Sequence, residues 1–296
     1  MKKTKFLIIG GDGLIGAAMS EAIQLQGGVV TTTSRYRHDT WKAPLFLDLQ
    51  DEMSVLTLDV ADYDVAYFCA GVSKYSDIEA NVSLSRRINV TSTIHLCERL
   101  IKAGSSVVFL STSAVFDGEH SYPGENDPVC PITCYGQQKH EVESALNPAI
   151  MMANTSGVVK IVRLSKVLTS KTPIINSWRN ALSHGGVITP LLDLRLSPVS
   201  LPYVVAGLLR IGLLEQPGIF HLSGAQDVTY ADIARELLIR WGYSLKLLRP
   251  VTSADSDIFL PYAPSHPSLG MDRTSEVVGI MPQPLQGCIA DLINVA

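Results

Sequence analysis

A chain of 296 residues is long enough for one large or two ordinary domains and can bury a core without disulfide staples. Lys and Arg number 24 against 28 Asp and Glu, a formal charge of −4. With 18% charged residues there is no basic stripe for a run of phosphates, which excludes a dedicated nucleic-acid binder. Hydrophobic residues at 46%, with 22 Gly and 16 Pro, exclude a fibrous or disordered chain.

The start, Met1-Lys2-Lys3 before Phe6-Leu7-Ile8-Ile9, has the outline of a signal peptide. Gly10, Gly11 and Gly13 interrupt the apolar run after four residues, so a first strand at Lys5–Ile9 is expected instead of a leader. The turn Gly10-Gly11-Asp12-Gly13-Leu14-Ile15-Gly16 then opens a helix predicted over Leu14–Gln26. Glycines at 10, 13 and 16 between a strand and a helix let backbone N–H groups approach a pyrophosphate, which makes Gly10, Gly13, Leu14, Ile15 and Gly16 a candidate dinucleotide cradle. The alternative is a turn that serves helix–strand packing alone, and Asp12 is an odd neighbour for an anion.

A second strand, Gly28–Thr32, leads into Thr33-Ser34-Arg35-Tyr36-Arg37, where an acidic residue would accept from a ribose 2′-hydroxyl. Ser34 can donate, and Arg35 or Arg37 can hold a 2′-phosphate, so the reading is NADP(H) in preference to NAD(H); solvated loop charges are the alternative. Further strands are expected at Pro44–Leu47, Val65–Cys69, Ser106–Leu110 and Val158–Val162, with helices at Asp77–Ala103 and Tyr135–Met151. Nearly all-apolar strands alternating with helices predict an α/β, doubly wound parallel sheet of Rossmann type.

On the last of these helices, Tyr135 and Lys139 stand four residues apart and share a face, placing a phenol beside an ammonium. Taken alone this spacing also occurs as a surface pair. A hydroxyl at Thr112, just past the fifth strand, can bond a substrate oxygen. Beyond Leu168 the pattern loosens, with Pro173, Pro190, Pro198 and Pro202, a strand at Gly218–Leu222, a helix at Tyr230–Trp241 and a turn-rich stretch Pro261–Gly270. The expected division is a cofactor domain over 1–168 and a mainly substrate-binding region over 169–296, with the strand near 218–222 free to return to the first sheet. The apolar stretch Tyr203–Leu214 contains Arg210 and falls short of the roughly 20 residues that cross a bilayer, so no membrane association is expected. Cys69, Cys97, Cys130, Cys134 and Cys288 form an odd set without a C-x-x-C pair, as in a reduced cytoplasmic protein, and no metal site is expected. Trp178 reads as core before pocket, and none of the seven histidines takes a role: His95 reads as core or interface, His184 and His266 lie in the second region, and His38, His120, His140 and His221 show no partner spacing.

Together the glycine turn, Cys69-Ala70-Gly71, Asn89, Ser111–Phe116 and Tyr135/Lys139 resemble the extended short-chain dehydrogenase/reductase family. The likeness is strongest to its dTDP-4-dehydrorhamnose reductase-like branch, through Ser111-Thr112, Val115-Phe116-Asp117-Gly118, Glu125, Asp127-Pro128, Tyr135-Gly136, Ser197-Pro198 and Gly218–Gly224. The resemblance implies an oxidoreductase that reduces a keto group on a nucleotide-linked sugar. Tyr135 would be the proton donor, Lys139 its activator and a ribose ligand, and Thr112 the orienting hydroxyl. Asp48, Ala70 and Gly71 would line the cofactor, Ser113 the sugar, and Lys166 and Arg195 the substrate diphosphate; a homodimer through the helices of Asn89 and Tyr135 fits the same family. Ser113 and Ala114 depart from the Thr-Asp-Glu triplet of the 4,6-dehydratases, which favours simple carbonyl reduction. A 4-epimerase with retained cofactor and a non-catalytic regulatory subunit remain alternative readings.

Overall fold

The structure, a computed structural model, describes residues 3–37, 44–151, 157–256 and 262–294; His38 and Pro261 lie outside them. In chain order the elements are β1 (Lys5–Ile9), α1 (Leu14–Leu25), β2 (Val29–Ser34), β3 (Leu45–Phe46), α2 (Glu52–Thr57), β4 (Val65–Phe68), α3 (Tyr75–Ala80), α4 (Val82–Arg86), a π-helical stretch Arg87–Ser92, α5 (Thr93–Lys102), β5 (Ser106–Thr112), a 3-10 turn Ser113–Val115, α6 (Cys134–Met151) and β6 (Val159–Leu164). There follow β7 (Lys166–Leu168), α7 (Pro173–Ser183), β8 (Arg195–Leu196), β9 (Pro198–Ser200), α8 (Leu201–Gly212), β10 (Gly218–Leu222), β11 (Val228–Thr229), α9 (Tyr230–Trp241), α10 (Asp272–Val278) and α11 (Leu285–Asn294).

Seven strands form one sheet in the order β10-β6-β5-β4-β1-β2-β3, and β1 pairs in parallel with both β2 and β4. The strand order reverses direction between β1 and β4, which is where an open α/β sheet leaves a crevice at its strand ends. The residues of β4 and β6 are buried throughout, as expected of strands covered on both faces. The chain divides into two compact units, one made of residues 1–115, 128–163 and 205–220, the other of 116–127, 164–204 and 221–296. Leu7, Ile9, Phe68, Leu96, Leu100 and Phe109 centre the core of the first. Ile175, Trp178, Leu237, Leu238 and Ile289 centre the second, so Trp178 is a core residue. Among the described residues no helix is long and apolar enough to cross a membrane, and no group of three or more His, Cys, Asp or Glu could hold a metal ion.

The helix expected over Asp77–Ala103 is broken. Asn81 leaves helical geometry and its side chain accepts from Leu84 N at 2.9 Å, ending α3 and capping α4. The π-helical stretch then adds a residue to a turn and carries Asn89 into the interior.

Strand β6, second from the edge of the sheet, buries two cations, each with partners. Lys160 Nζ donates to Ser106 Oγ at 2.6 Å and Gly212 O at 3.0 Å. Arg163 grips Glu143 of α6, with Nη2 to Oε2 at 2.7 Å and Nε to Oε1 at 3.1 Å, and Ser111 Oγ of β5 donates to the same carboxylate at 2.5 Å. This ionic brace, wholly buried, ties α6 to two strands at once. Removing one partner leaves a buried uncompensated charge, so Glu143→Gln should cost about 3 kcal/mol, read as a lower urea midpoint with an unchanged m-value.

Candidate active site

The cradle is built by what its glycines lack. Gly10 sits at φ +88° against Ala70, where a Cβ would come within 2.9 Å, and a Cβ on Gly16 would lie 2.2 Å from Gly10 O. The first turn of α1 therefore closes tightly on the end of β1, beside β4 at the point where strand order reverses. Gly13 precedes α1 without a side-chain cap, so the first-turn N–H groups of Leu14, Ile15 and Gly16 are left to meet an anion. Asp12 is exposed.

At the end of β2, Ser34 is buried and its Oγ accepts from Tyr36 N at 3.0 Å, which shapes the following turn. Arg35 and Arg37 are exposed: Arg35 Nη2 donates to Tyr36 Oη at 2.8 Å, and the Arg37 guanidinium lies 3.9 Å over the Phe46 ring. Two cations thus stand pre-stacked on aromatic faces beside the second strand. Half-buried Asp48 holds a local turn, its Oδ1 accepting from Gln50 N at 2.9 Å.

Thr112 ends β5, and its Oγ1 accepts from Ala114 N at 3.2 Å in the 3-10 turn. Helix α6 can reach that turn because residue 136 is glycine, where a Cβ would sit 2.0 Å from Ala114 O. Tyr135 and Lys139 stand on the same helix, one residue before Gly136 and three after it. The Lys139 Nζ donates to Leu110 O at 2.8 Å and lies 4.6 Å from the Phe109 ring centre and 5.9 Å from that of Tyr135. Burial pulls the Lys139 ammonium down to about 8, opposed by the nearby Glu143 carboxylate. Burial, with Tyr75 against its ring at 6.1 Å, pushes the Tyr135 phenol well above its ordinary range, so it keeps its proton at neutral pH. Gly71 faces the same cluster, since a Cβ there would come 3.1 Å from Asn89 Oδ1.

Gly10, Gly13–Gly16, Ser34, Arg35, Arg37, Asp48, Ala70, Gly71, Thr112, Ser113, Tyr135 and Lys139 all belong to the first unit, on or just beyond strands β1 to β5 except Tyr135 and Lys139, which stand on α6. Lys166 and Arg195 belong to the other unit, exposed on β7 and β8. One layer behind the site escaped the sequence reading, the Glu143 brace, foreshadowed by the four-residue step from Lys139 to Glu143. A second is built on Asn89, which the sequence had singled out without its partners: its Nδ2 donates to Gln138 Oε1 and Val72 O, both at 2.8 Å, and its Oδ1 accepts from Val72 N at 2.8 Å. Gln138 in turn donates to Ser85 Oγ at 2.9 Å, so the residue beside Lys139 is pinned from α4.

Comparison with known proteins agrees with this arrangement. A family model described as the RmlD substrate binding domain matches residues 4–296. A probable low-salt glycan biosynthesis reductase of Haloferax volcanii is 26% identical, covering 84% of each chain. The dTDP-4-dehydrorhamnose reductase of Aggregatibacter actinomycetemcomitans is 22% identical, over 97% of this chain and 98% of its own. Among solved structures, a dTDP-4-dehydrorhamnose reductase from Bacillus anthracis in complex with NADP superposes with a TM-score of 0.82 at 18% identity, covering 99% of both chains. The chain belongs to the RmlD substrate binding domain family and is an oxidoreductase.

Proposed function

We propose that this protein reduces a keto group on a nucleotide-activated deoxysugar, with NADPH as the preferred reductant and Tyr135 as the proton donor. The observation that carries the reading is a phenol one helical turn from a buried ammonium, 5.9 Å from its ring centre, on the helix that packs against the turn following Thr112. The glycine cradle and the uncapped start of α1 fit a pyrophosphate, and the pre-stacked Arg35 and Arg37 suit a 2′-phosphate. When bound, the nicotinamide supplies the hydride. Thr112 then orients the carbonyl oxygen, Tyr135 Oη passes its proton to that oxygen, and Lys139 meets the cofactor ribose and stabilises the phenolate left behind. Ser113 and Ala114 provide no second acid/base pair, so the chemistry ends at the alcohol.

Tyr135→Phe should lower turnover of a nucleotide-linked 4-keto sugar by about a hundredfold to ten-thousandfold with NADPH affinity kept, measured as NADPH oxidation and by fluorescence titration. No turnover by the intact protein on any member of a substrate panel, with NADPH bound, would favour a regulatory role. Arg35→Ala combined with Arg37→Ala should raise KM for NADPH about tenfold or more while barely moving that for NADH; equal effects on both would reject the 2′-phosphate assignment. Because the Lys139 ammonium is held down near 8, it is charged below that pH and neutral above it. The rate should therefore fall as pH rises through about 8, and a flat profile to pH 10 would remove Lys139 charge from the mechanism.

A further inference from the structure

Tyr135 is the second residue of α6, and a helical side chain leans over the turn before its own, which at the start of a helix does not exist. The orientation of its ring is therefore left to neighbours. Lys139 is one, with Nζ 5.9 Å from the ring centre; Tyr75 is another, its ring 6.1 Å away at 81°, an edge-to-face contact. All three residues belong to the first unit. Burial, and after it the charge Tyr75 would carry, raise the Tyr135 phenol, so the two hydroxyls lie within electrostatic reach of each other.

Tyr75 is itself held from both ends. Its backbone follows a clamped segment: Val72 exchanges two hydrogen bonds of 2.8 Å with the Asn89 side chain, and Tyr75 then opens α3, where Lys74 O accepts from Asp77 N at 3.0 Å and Ile78 N at 3.1 Å. Ile78, wholly buried, fixes the far side of that first turn. At the tip of the side chain, the half-buried phenol is hydrogen-bonded to the Thr133 hydroxyl. Thr133 is buried, and its Oγ1 accepts from Gly136 N at 3.0 Å, the N-cap bond of α6. A contact that only packed α3 on α6 would need no hydroxyl, since a phenylalanine fills the same edge-to-face position. Here the hydroxyl ties the Tyr75 ring to the residue that caps the helix carrying Tyr135, so ring and helix start are fixed as one.

We propose that Tyr75 is a positioning residue for Tyr135: bonded to Thr133 at the head of α6, it holds the Tyr135 ring in a single orientation for proton delivery; this rests on the reading of Tyr135 as the proton donor. Tyr75→Leu removes ring and anchor together, and Tyr75→Phe removes the anchor alone. In NADPH oxidation with a nucleotide-linked 4-keto sugar, Tyr75→Leu should lower kcat about tenfold or more and Tyr75→Phe about threefold, while KM for the sugar and the NADPH dissociation constant stay within about twofold. The solvent deuterium isotope effect on kcat should rise in both as the proton step becomes limiting, a change that partial unfolding does not produce. Tyr75→Phe keeps the packing and carries the same test should Tyr75→Leu fail to fold. Crystal structures should show one Tyr135 rotamer in the intact chain and a second rotamer or a disordered ring in the variant. An unchanged kcat or isotope effect, a loss shared with NADPH binding, or the same single rotamer in both structures would overturn the inference. No turnover of any keto sugar by the intact protein, with a Tyr135 ring released only in the variant, would defeat the reductase reading and leave the positioning of Tyr135 standing. Turnover that neither variant alters would do the reverse.

Discussion

Everything at the candidate site depends on how closely α6 can lie against the end of β5. Three contacts set that approach: the missing side chain at Gly136, the Lys139 ammonium on Leu110 O, and the Glu143 carboxylate shared by Ser111 and Arg163. The first permits contact with the 3-10 turn behind Thr112, the second couples the ammonium to the strand backbone, and the third fixes the depth and rotation of the helix. Tyr135 and Thr112 sit on different elements, and the transfer proposed for them would tolerate little misplacement. A buried ion pair is seldom a large net source of stability, but its directionality suits a position where rotation of one helix would move Tyr135 away from Thr112.

The same docking creates the electrostatic asymmetry of the site. Desolvation acts in opposite senses on the two groups, keeping a proton on the phenol and loosening one on the ammonium. Glu143 opposes the second effect from one turn away while itself paired with Arg163. The pair Tyr135 and Lys139 is backed by a layer of buried polar groups that includes Glu143, Asn89 and Gln138.

The parts of this protein that were legible in its sequence are those governed by local rules. Strand β10 and helix α9 match their expected limits, because apolar alternation, the Thr229 and Asp232 capping box and Gly242 in the left-handed region all act within a few residues. The glycine turn was legible for the same reason. The break at Asn81 and the π-helical stretch were not, since the apolar spacing of 77–103 reads as one helix and the interruption is set by where Asn89 must bond. Arg163 and Lys160 inside an apolar strand gave no hint of their partners, which lie 20 and 52 residues away along the chain. His266 shows the same limit: its partner Asp227 is 39 residues distant, and no spacing pattern joins them.

The place of β10 in the sheet has a consequence for biosynthesis. Strand β6 lies between β5 and β10, yet β10 ends at residue 222 of 296. During synthesis the chain must deliver about three-quarters of its length before β6 is paired on both sides, and it passes between the two compact units five times on the way from end to end. Until then β6 is a fully apolar-flanked edge carrying Lys160 without its Gly212 acceptor, a template for pairing with the wrong neighbour. Folding of the first unit therefore waits for its last segment, residues 205–220, and neither unit can be produced by a single cut in the chain.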